Sequence, residues 1–150
     1  MKGRSPVILP DGSPEWLPQV ERWLVGGALL SRTEDIVNAA AVCSPDDFRD
    51  ELLAQAWGVL PYMECPRVAH LVRELGSEHA PEFVELAGAQ GAFLYATKVG
   101  LEAHAALVHE WGEKRRKIRE LSEQAKAVYA GASNVVPITR ATGVRPFIAS

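Results

Sequence analysis

The sequence predicts an all-α protein, with a compact head of five or six short helices followed by one long projecting helix. Apolar residues recur at three- and four-residue intervals in one segment after another, which is the spacing of amphipathic helices. Proline, serine and acidic residues stand where such helices would begin. No segment is a convincing strand. With 150 residues, of which 47% are apolar, the chain can build one domain with its own core.

The first helix is expected after a proline- and glycine-rich stretch. Residues 1–15 read as an extended N-terminal arm. A helix is then expected from Pro18 to Leu30, because proline at the first helical position wastes no hydrogen bond. The pair Gly26-Gly27 inside it costs roughly 1 kcal/mol per glycine relative to alanine, so we expect another element to pack closely there.

Two capping signals predict the next two helices. Ser31-Arg32-Thr33-Glu34 has the form of a capping box and opens a short helix through Ala41. Ser44-Pro45-Asp46-Asp47 combines a capping serine, a proline and two acids, and predicts a helix that ends at Pro61. That helix is expected to carry four apolar residues at four-residue steps: Phe48, Leu52, Ala56 and Leu60.

Two more short helices complete the predicted head. One follows Pro66 and stops at Gly76, a residue type that ends helices readily. The other starts at Pro81.

The long helix is predicted from about Leu101 to Ala130, a stretch without proline. At ~1.5 Å per residue it would be about 45 Å long, so part of it should project and meet a partner. Two rows of residues repeat every seven positions and lie three apart, which is the seam of a helix that packs along another helix. The rows are His104, Trp111, Ile118 and Ala125, and Leu107, Lys114, Leu121 and Val128. Only His104 and Lys114 break their apolar character.

The domain limits follow from these elements. Residues 16–131 form the helical domain, and residues 132–150 form a flexible tail with two prolines and no acidic residue. Within the tail, Val135–Ile138 and Arg145–Ile148 resemble short peptides that become ordered on binding, and plain disorder is the alternative.

Composition restricts the setting of the protein. A formal net charge of −3 gives no reason to expect general nucleic-acid binding. No apolar stretch is long enough for a membrane span, and no secretory signal is visible. Two cysteines are too few for a disulfide scaffold, which predicts a cytoplasmic protein; one bridge between Cys43 and Cys65 stays open.

No catalytic or metal-binding motif is visible in the sequence. A glycine-rich phosphate loop and a G-x-S-x-G nucleophile turn are both absent. His109-Glu110-Trp111-Gly112-Glu113 begins like a zinc-protease helix, but glutamate stands where the second histidine should be. We therefore predict no enzyme, no metal site and no cofactor, although His109 and Glu113 can share a helical face.

One electrostatic feature stands out, which we call the basic run: Lys114, Arg115, Arg116, Lys117 and Arg119. These residues are candidates for nucleic-acid binding. However, glutamates at helical spacing flank the run on both sides, and glutamate four residues ahead of lysine is the favourable order for a solvated helix pair. A solvated or partner-facing surface is the other interpretation.

Four segments in order resemble the N-terminal collar domain of bacterial replicative helicases of the DnaB type. They are VERWLVGGALLS (20–31), SPDDF (44–48), APEFVELAG (80–88) and AALVHEWGEKRRKIRELSEQAKAVYAG (105–131). The resemblance covers about residues 19–131 and rests on all four segments together. It implies a helical head followed by a helical hairpin, and a collar that contacts primase and loader proteins. The family's motor domain is absent, and Pro137 and Pro146 stand where the hairpin's second arm would form.

These observations lead to a hypothesis of a non-catalytic interaction module in DNA replication, encoded for example by a phage or plasmid. Its partner would be a replicative helicase, a primase or a helicase loader, and a homodimer through the long helix is also open. The residues expected to bind the partner are Trp111, Ile118, Leu121, Ala125 and Val128. The alternatives are a DNA-binding protein that uses the basic run and an inhibitor of host replication.

Overall fold

The computed structural model describes residues 7–89, 92 and 95–134. This part of the chain contains α-helices, short 3-10 turns and an isolated β-bridge between Ile8 and Pro14. The helices with defined bounds are α1 (Leu17–Leu29), α2 (Thr33–Ala40), α3 (Glu51–Val59), α4 (Arg67–Leu75), α5 (Ala80–Gly88) and α6 (Lys98–Asn134). The prediction of an all-α protein in which a long helix follows the short ones is confirmed.

Side chains from all six helices form one hydrophobic core. Its fully buried members include Leu24, Val25, Ile36, Leu71, Phe83, Leu101 and Val108. Helix α1 packs against α5, and an ion pair joins Arg22 to Glu82 across that contact. A side chain at Gly26 would meet the carbonyl oxygen of Leu86, and one at Gly27 would lie 2.7 Å from Cβ of Tyr95. The close packing expected at the glycine pair is confirmed.

The predicted capping box at Ser31 is wrong. Its hydroxyl donates a hydrogen bond of 2.7 Å to the carbonyl of Gly27, in the last turn of α1. Arg32 precedes α2, and no side chain caps that helix. Ser31 therefore serves the end of one helix rather than the start of the next, because the last carbonyls of a helix lack partners within it.

The helix predicted from Ser44 to Pro61 is interrupted. A 3-10 turn spans Pro45–Asp47, Phe48 is extended, and α3 begins only at Glu51. Asp50 caps α3 by accepting the N–H of Leu53 at 3.0 Å. The cause of the break lies in α1, where both carboxylate oxygens of Glu21 accept the N–H of Arg49 at 3.0 and 3.1 Å.

The remaining short helices agree with the prediction. Helix α4 begins directly after Pro66 and ends at Gly76, whose φ of 119° suits glycine. A 3-10 turn at Ser77–His79 leads into α5.

The N-terminal arm is not extended where the structure describes it. Residues 7–15 turn back at Gly12, which has a φ of 89°, and the N–H of Leu9 donates to the carbonyl of Ser13 at 2.7 Å. Asp11 in this turn pairs with Arg49 at 2.7 Å. The described part of the arm is thus tied to Arg49, just before α3, by an ion pair that the composition did not reveal.

The contacts divide the chain into two units, Met1–Arg115 and Arg116–Ser150, and the boundary lies inside α6. Helix α6 runs past its predicted end at Ala130 to Asn134. Residues 135–150, with the proposed docking peptides at Val135–Ile138 and Arg145–Ile148, lie outside the described residues. Cys43 and Cys65 are both free thiols in this structure.

Candidate functional site

One buried row holds the first half of α6 in the core of the first unit. Leu101, Ala105 and Val108 are fully buried, and Gly112 continues the row. In this half of α6 the predicted seam lies on the adjacent face, one residue earlier in each turn, at His104, Leu107, Trp111 and Lys114. Those side chains are half-buried or exposed. The seven-residue pattern therefore does not mark the side of α6 that faces the core.

Gly112 allows α6 to approach the Pro45–Asp47 turn very closely. A Cβ atom at this position would lie 2.7 Å from Cα of Asp47 and 2.8 Å from its Cβ. Such distances are shorter than any normal carbon–carbon contact, and backbone atoms cannot yield easily. Glycine is thus required here by the packing of α6 on the turn.

Asp47 is the buried centre of a polar cluster beside that contact. Its Oδ2 accepts the N–H of Ser44 at 3.0 Å and lies 2.9 Å from Nδ1 of His109. Its carbonyl accepts a hydrogen bond of 2.7 Å from Arg115. One residue of the turn therefore holds two side chains of α6 that are six positions apart.

Glu21 is a second buried carboxylate of the first unit. Burial raises its pKa above the ordinary value of 4.5, although the N–H groups of Arg49 and Asp50 and the charges of Arg115 and Arg49 act in the opposite direction. Desolvation disfavours the charged form, and here it outweighs the hydrogen bonds.

Asp11 completes the cluster from the N-terminal turn. Burial acts to raise its pKa, but the hydrogen bonds from Arg49 and Ser13 outweigh it, so the pKa lies below 3.8. Arg115 also approaches Asp11, at 3.8 Å. The cluster joins the N-terminal turn, α1, the Pro45–Asp47 turn and α6 through charged and polar contacts.

Among the residues expected to bind a partner, Trp111 is the one that lies in the first unit. It is half-buried, and its ring stands edge-on to Trp16 with 6.3 Å between centroids. The ammonium group of Lys114 sits 4.3 Å from the centre of the Trp111 ring. Trp111 therefore differs from the other four candidates, because it contacts side chains of the first unit.

The other four candidates, which we call the distal seam, lie in the second unit: Ile118, Leu121, Ala125 and Val128. Three of them are large and exposed, at 48%, 53% and 69% for Ile118, Leu121 and Val128. Ala125 is exposed as well. Exposure of aliphatic side chains at helical spacing makes one apolar face along this part of α6.

Tyr129 is a member of this face that the sequence analysis missed. It is 75% exposed and follows Ala125 by four residues, so it lies beside that residue on the helix surface. The spacing was visible in the sequence, but the seven-residue rows do not include position 129. An exposed tyrosine adds an aromatic anchor of the kind that dominates protein interfaces.

Three residues of the basic run make polar contacts with other residues of the chain. The Arg115 side chain is largely buried against Asp47 and Asp11. Lys114 pairs with Glu110 at 3.0 Å, as the spacing predicted, and Lys117 lies 3.8 Å from Glu120. The guanidinium of Arg115 is therefore not available to a phosphate backbone in this structure.

His109 and Glu113 share a face of α6, as expected, with 3.9 Å between Nε2 and the carboxylate. Among the described residues, no three His, Cys, Asp or Glu side chains are grouped as metal ligands would be. Within the same part of the chain, none of the helices combines the length and apolar character needed to cross a membrane.

Comparison of the chain with protein-family models, with curated proteins and with solved structures gives no match.

Proposed function

We propose that this chain is a non-catalytic interaction module whose distal seam packs along a helix of another protein chain. One observation carries the proposal: Ile118, Leu121 and Val128 are large, aliphatic and exposed along one face of a helix. Burying an aliphatic side chain of this size contributes about 1.5–3 kcal/mol, so three of them with Tyr129 form a substantial potential contact.

The register of α6 supports an interface distinct from the core. The buried row of Leu101, Ala105, Val108 and Gly112 reaches Arg119, Ser122 and Lys126 when it is continued at the same spacing. These three residues are polar. The apolar residues beyond Arg115 thus follow a different row, as expected of a surface that serves a separate contact.

DNA replication is the proposed setting, and the partner would be a replicative helicase, a primase or a helicase loader. This part of the proposal is supported by the resemblance of four segments to the helicase collar domain. An all-α head that leads into a long helix agrees with that resemblance but is common to many other proteins.

The test of the interface changes the distal seam without disturbing the core. Ile118→Asp and Leu121→Asp each place a charge on the apolar face, and we expect partner binding to fall at least about 100-fold, the usual loss at a central apolar contact. Ser122→Asp adds the same charge to the polar row of the same helix and serves as the matched control. Light scattering reports self-association, and calorimetry measures binding to purified collar domain, primase and loader.

The outcomes separate the candidates. Binding that Ser122→Asp retains and Leu121→Asp loses supports the proposal. Affinity purification from the native host, followed by mass spectrometry, names the partner. If the chain stays monomeric and none of these replication proteins binds or co-purifies, the replication proposal is wrong. If one of them does bind, helicase assays with added chain distinguish a stimulating module from an inhibitor.

Nucleic-acid binding through the basic run remains the second candidate, because its five cations occupy six consecutive positions of the helix. The contacts of Arg115, Lys114 and Lys117 within the chain weigh against it. Mobility shifts over a salt series decide the matter. An interaction module shows no retardation at physiological salt, whereas a DNA-binding protein shows an affinity that falls steeply as salt rises.

A further inference from the structure

The distal seam is complementary to itself when two copies of α6 run in opposite directions. Its members are separated by three, four and three residues, a spacing that reads the same from either end. If Ile118 lies opposite Val128 of a second copy, Leu121 lies opposite Ala125, and two-fold symmetry repeats both contacts. Every member of one seam then has a member of the other seam as its neighbour.

The sizes of these side chains favour the antiparallel arrangement over a parallel one. In the antiparallel pair the large Leu121 faces the small Ala125, and helices pack well where large and small residues face each other. In a parallel pair each residue faces its own counterpart, so two Ala125 side chains would meet and leave space between the helices unfilled. Side-chain volume therefore selects the orientation.

The charges of this part of α6 favour the same orientation. Arg116, Lys117 and Arg119 lie at its N-terminal end, whereas residues 127–134 carry no charged side chain. A parallel pair would place the cations of one copy beside those of the other. In the antiparallel pair the two Lys117 residues are about 18 Å apart along the axis, more than twice the Debye length of about 8 Å in physiological salt.

The charged residues in the middle of the seam region leave the contact free. Lys117 lies 3.8 Å from Glu120, and Lys126 lies 3.9 Å from Glu123, so both lysines pair within their own helix. Glu120, Glu123 and Lys126 stand outside the two rows that form the seam. The apolar rows can therefore meet without burying a charge.

We propose that the distal seam is covered by the distal seam of a second copy of this chain, in antiparallel orientation. The inference rests on the proposed function, because it names the chain that covers the same surface. At ~1.5 Å per residue the seam is about 15 Å long, so the contact is smaller than the standard interface of about 1,600 Å². The dimer is therefore weak and reversible, and a partner that binds the seam more tightly displaces the second copy.

Sedimentation equilibrium of the full chain between about 10 µM and 1 mM tests whether two copies associate. We expect the mean mass to rise toward that of a dimer within this range. Leu121→Asp should weaken the association at least about 100-fold, because the dimer would contain the unpaired charge twice. Ala127→Asp adds the same charge on the face opposite Ile118 and is the matched control, which should associate as the wild type does.

Disulfide formation tests the orientation. Ile118→Cys and Val128→Cys are prepared separately, each with Cys65→Ser, because Cys65 is the exposed native cysteine. In the antiparallel dimer residues 118 and 128 of different copies meet, so a mixture of the two variants should form disulfide-linked dimers. Either variant alone should not, since its two cysteines are about 15 Å apart along the axis.

The outcomes distinguish this inference from the proposed function. Efficient cross-linking of each variant alone would show a parallel pair and overturn the inference. A wild-type chain that stays monomeric throughout the concentration range would also overturn it. If such a monomer still binds a replication protein and loses it with Leu121→Asp, the proposed function stands and a different chain covers the seam.

Discussion

At the scale of single residues, two carboxylates of the polar cluster have pKa values displaced in opposite directions. Burial raises the pKa of Glu21, whereas hydrogen bonds from Arg49 and Ser13 outweigh burial and lower the pKa of Asp11. Each displacement couples folding to pH, because the folded and unfolded chains bind protons differently. The signs differ because the folded chain binds the Glu21 proton more tightly and the Asp11 proton less tightly.

The first prediction concerns Glu21. Its raised pKa means that the folded chain is favoured below 4.5 and loses part of that advantage as pH rises through the folded pKa. Glu21→Gln removes this titration, so the stability of the variant relative to the wild type should increase between pH 4.5 and pH 7. Urea denaturation at several pH values measures the difference in unfolding free energy.

Asp11→Asn is the control of opposite sign. The lowered pKa of Asp11 contributes stability above 3.8 that is lost as pH falls through the folded pKa. Asp11→Asn should therefore be less stable than the wild type at neutral pH, and the difference should shrink in acid. Parallel curves for both variants and the wild type would show that neither carboxylate couples folding to pH.

At the scale of elements, α6 presents different faces in its two halves. Up to Arg115 the contacts that position it are made by the buried row, by His109 and by Arg115 itself. Beyond Arg115 its exposed apolar side chains belong to the distal seam. One row of α6 side chains is thus buried in the core, and a different row is exposed to solvent.

Gly112→Ala tests the close contact of α6 with the Pro45–Asp47 turn. The new methyl group would lie 2.7 Å from Cα of Asp47, so α6 must shift, and we expect a loss of about 2 kcal/mol or more in unfolding free energy. Gly131→Ala is the matched control on the same helix, because among the described residues beyond its own stretch of helix no atom lies within 4 Å of the added group. It should leave thermal unfolding unchanged and raise helix content slightly, since alanine favours helices by about 1 kcal/mol over glycine.

Comparison of the thermal unfolding of the two glycine variants tests whether α6 lies in close contact with the turn. Equal effects in thermal unfolding would mean that α6 and the turn are not in close contact. A selective loss in Gly112→Ala establishes that this glycine fixes the position of α6.

The elements that the sequence predicts well are those with local signals at both ends. Helix α4 lies between Pro66 and Gly76, and both residues act through their own backbone geometry. The predicted start of α3 was wrong because Glu21, whose carboxylate accepts the backbone N–H of Arg49, is far from that helix in the sequence. A carboxylate that accepts two backbone N–H groups of a distant segment leaves no trace in the local pattern.

The candidate site was predictable to a similar degree. The distal seam follows from spacing alone, and Ile118, Leu121 and Val128 are exposed as a partner surface requires. The contacts of Arg115 with Asp47 and Asp11 were not predictable from the sequence, because they depend on how the turns approach α6. Trp111 lies against Trp16 for the same reason.

At the scale of the whole molecule, the chain consists of two units that differ in how many of their residues are buried. Every buried residue in the described part of the chain lies at or before Gly112. In the second unit, residues 117–131 are all exposed. Folding stability is therefore expected to come from the first unit, and partner binding from the second.

Truncation separates these two roles. A chain that ends at Lys117 keeps every residue that is buried in the described part of the structure, together with Arg115. Its melting temperature should therefore stay within about 3 °C of the full chain, measured by circular dichroism. It should lose partner binding, because the distal seam is removed. A chain that ends at Leu107 lacks Val108, Gly112 and Arg115 and should lose cooperative unfolding. A large drop in the melting temperature of the chain that ends at Lys117 would show that the second unit contributes to stability.

Three glycines that allow close contact limit the substitutions that a related chain can carry. They are Gly26, Gly27 and Gly112. A related chain can change its distal seam together with its partner, since exposed positions tolerate substitution. It cannot replace these glycines without moving α1 or α6, because a Cβ atom at each of them would collide with another part of the chain. Distant relatives are therefore expected to share the glycines and the acidic turn at Asp47 more faithfully than the surface that we propose binds a partner.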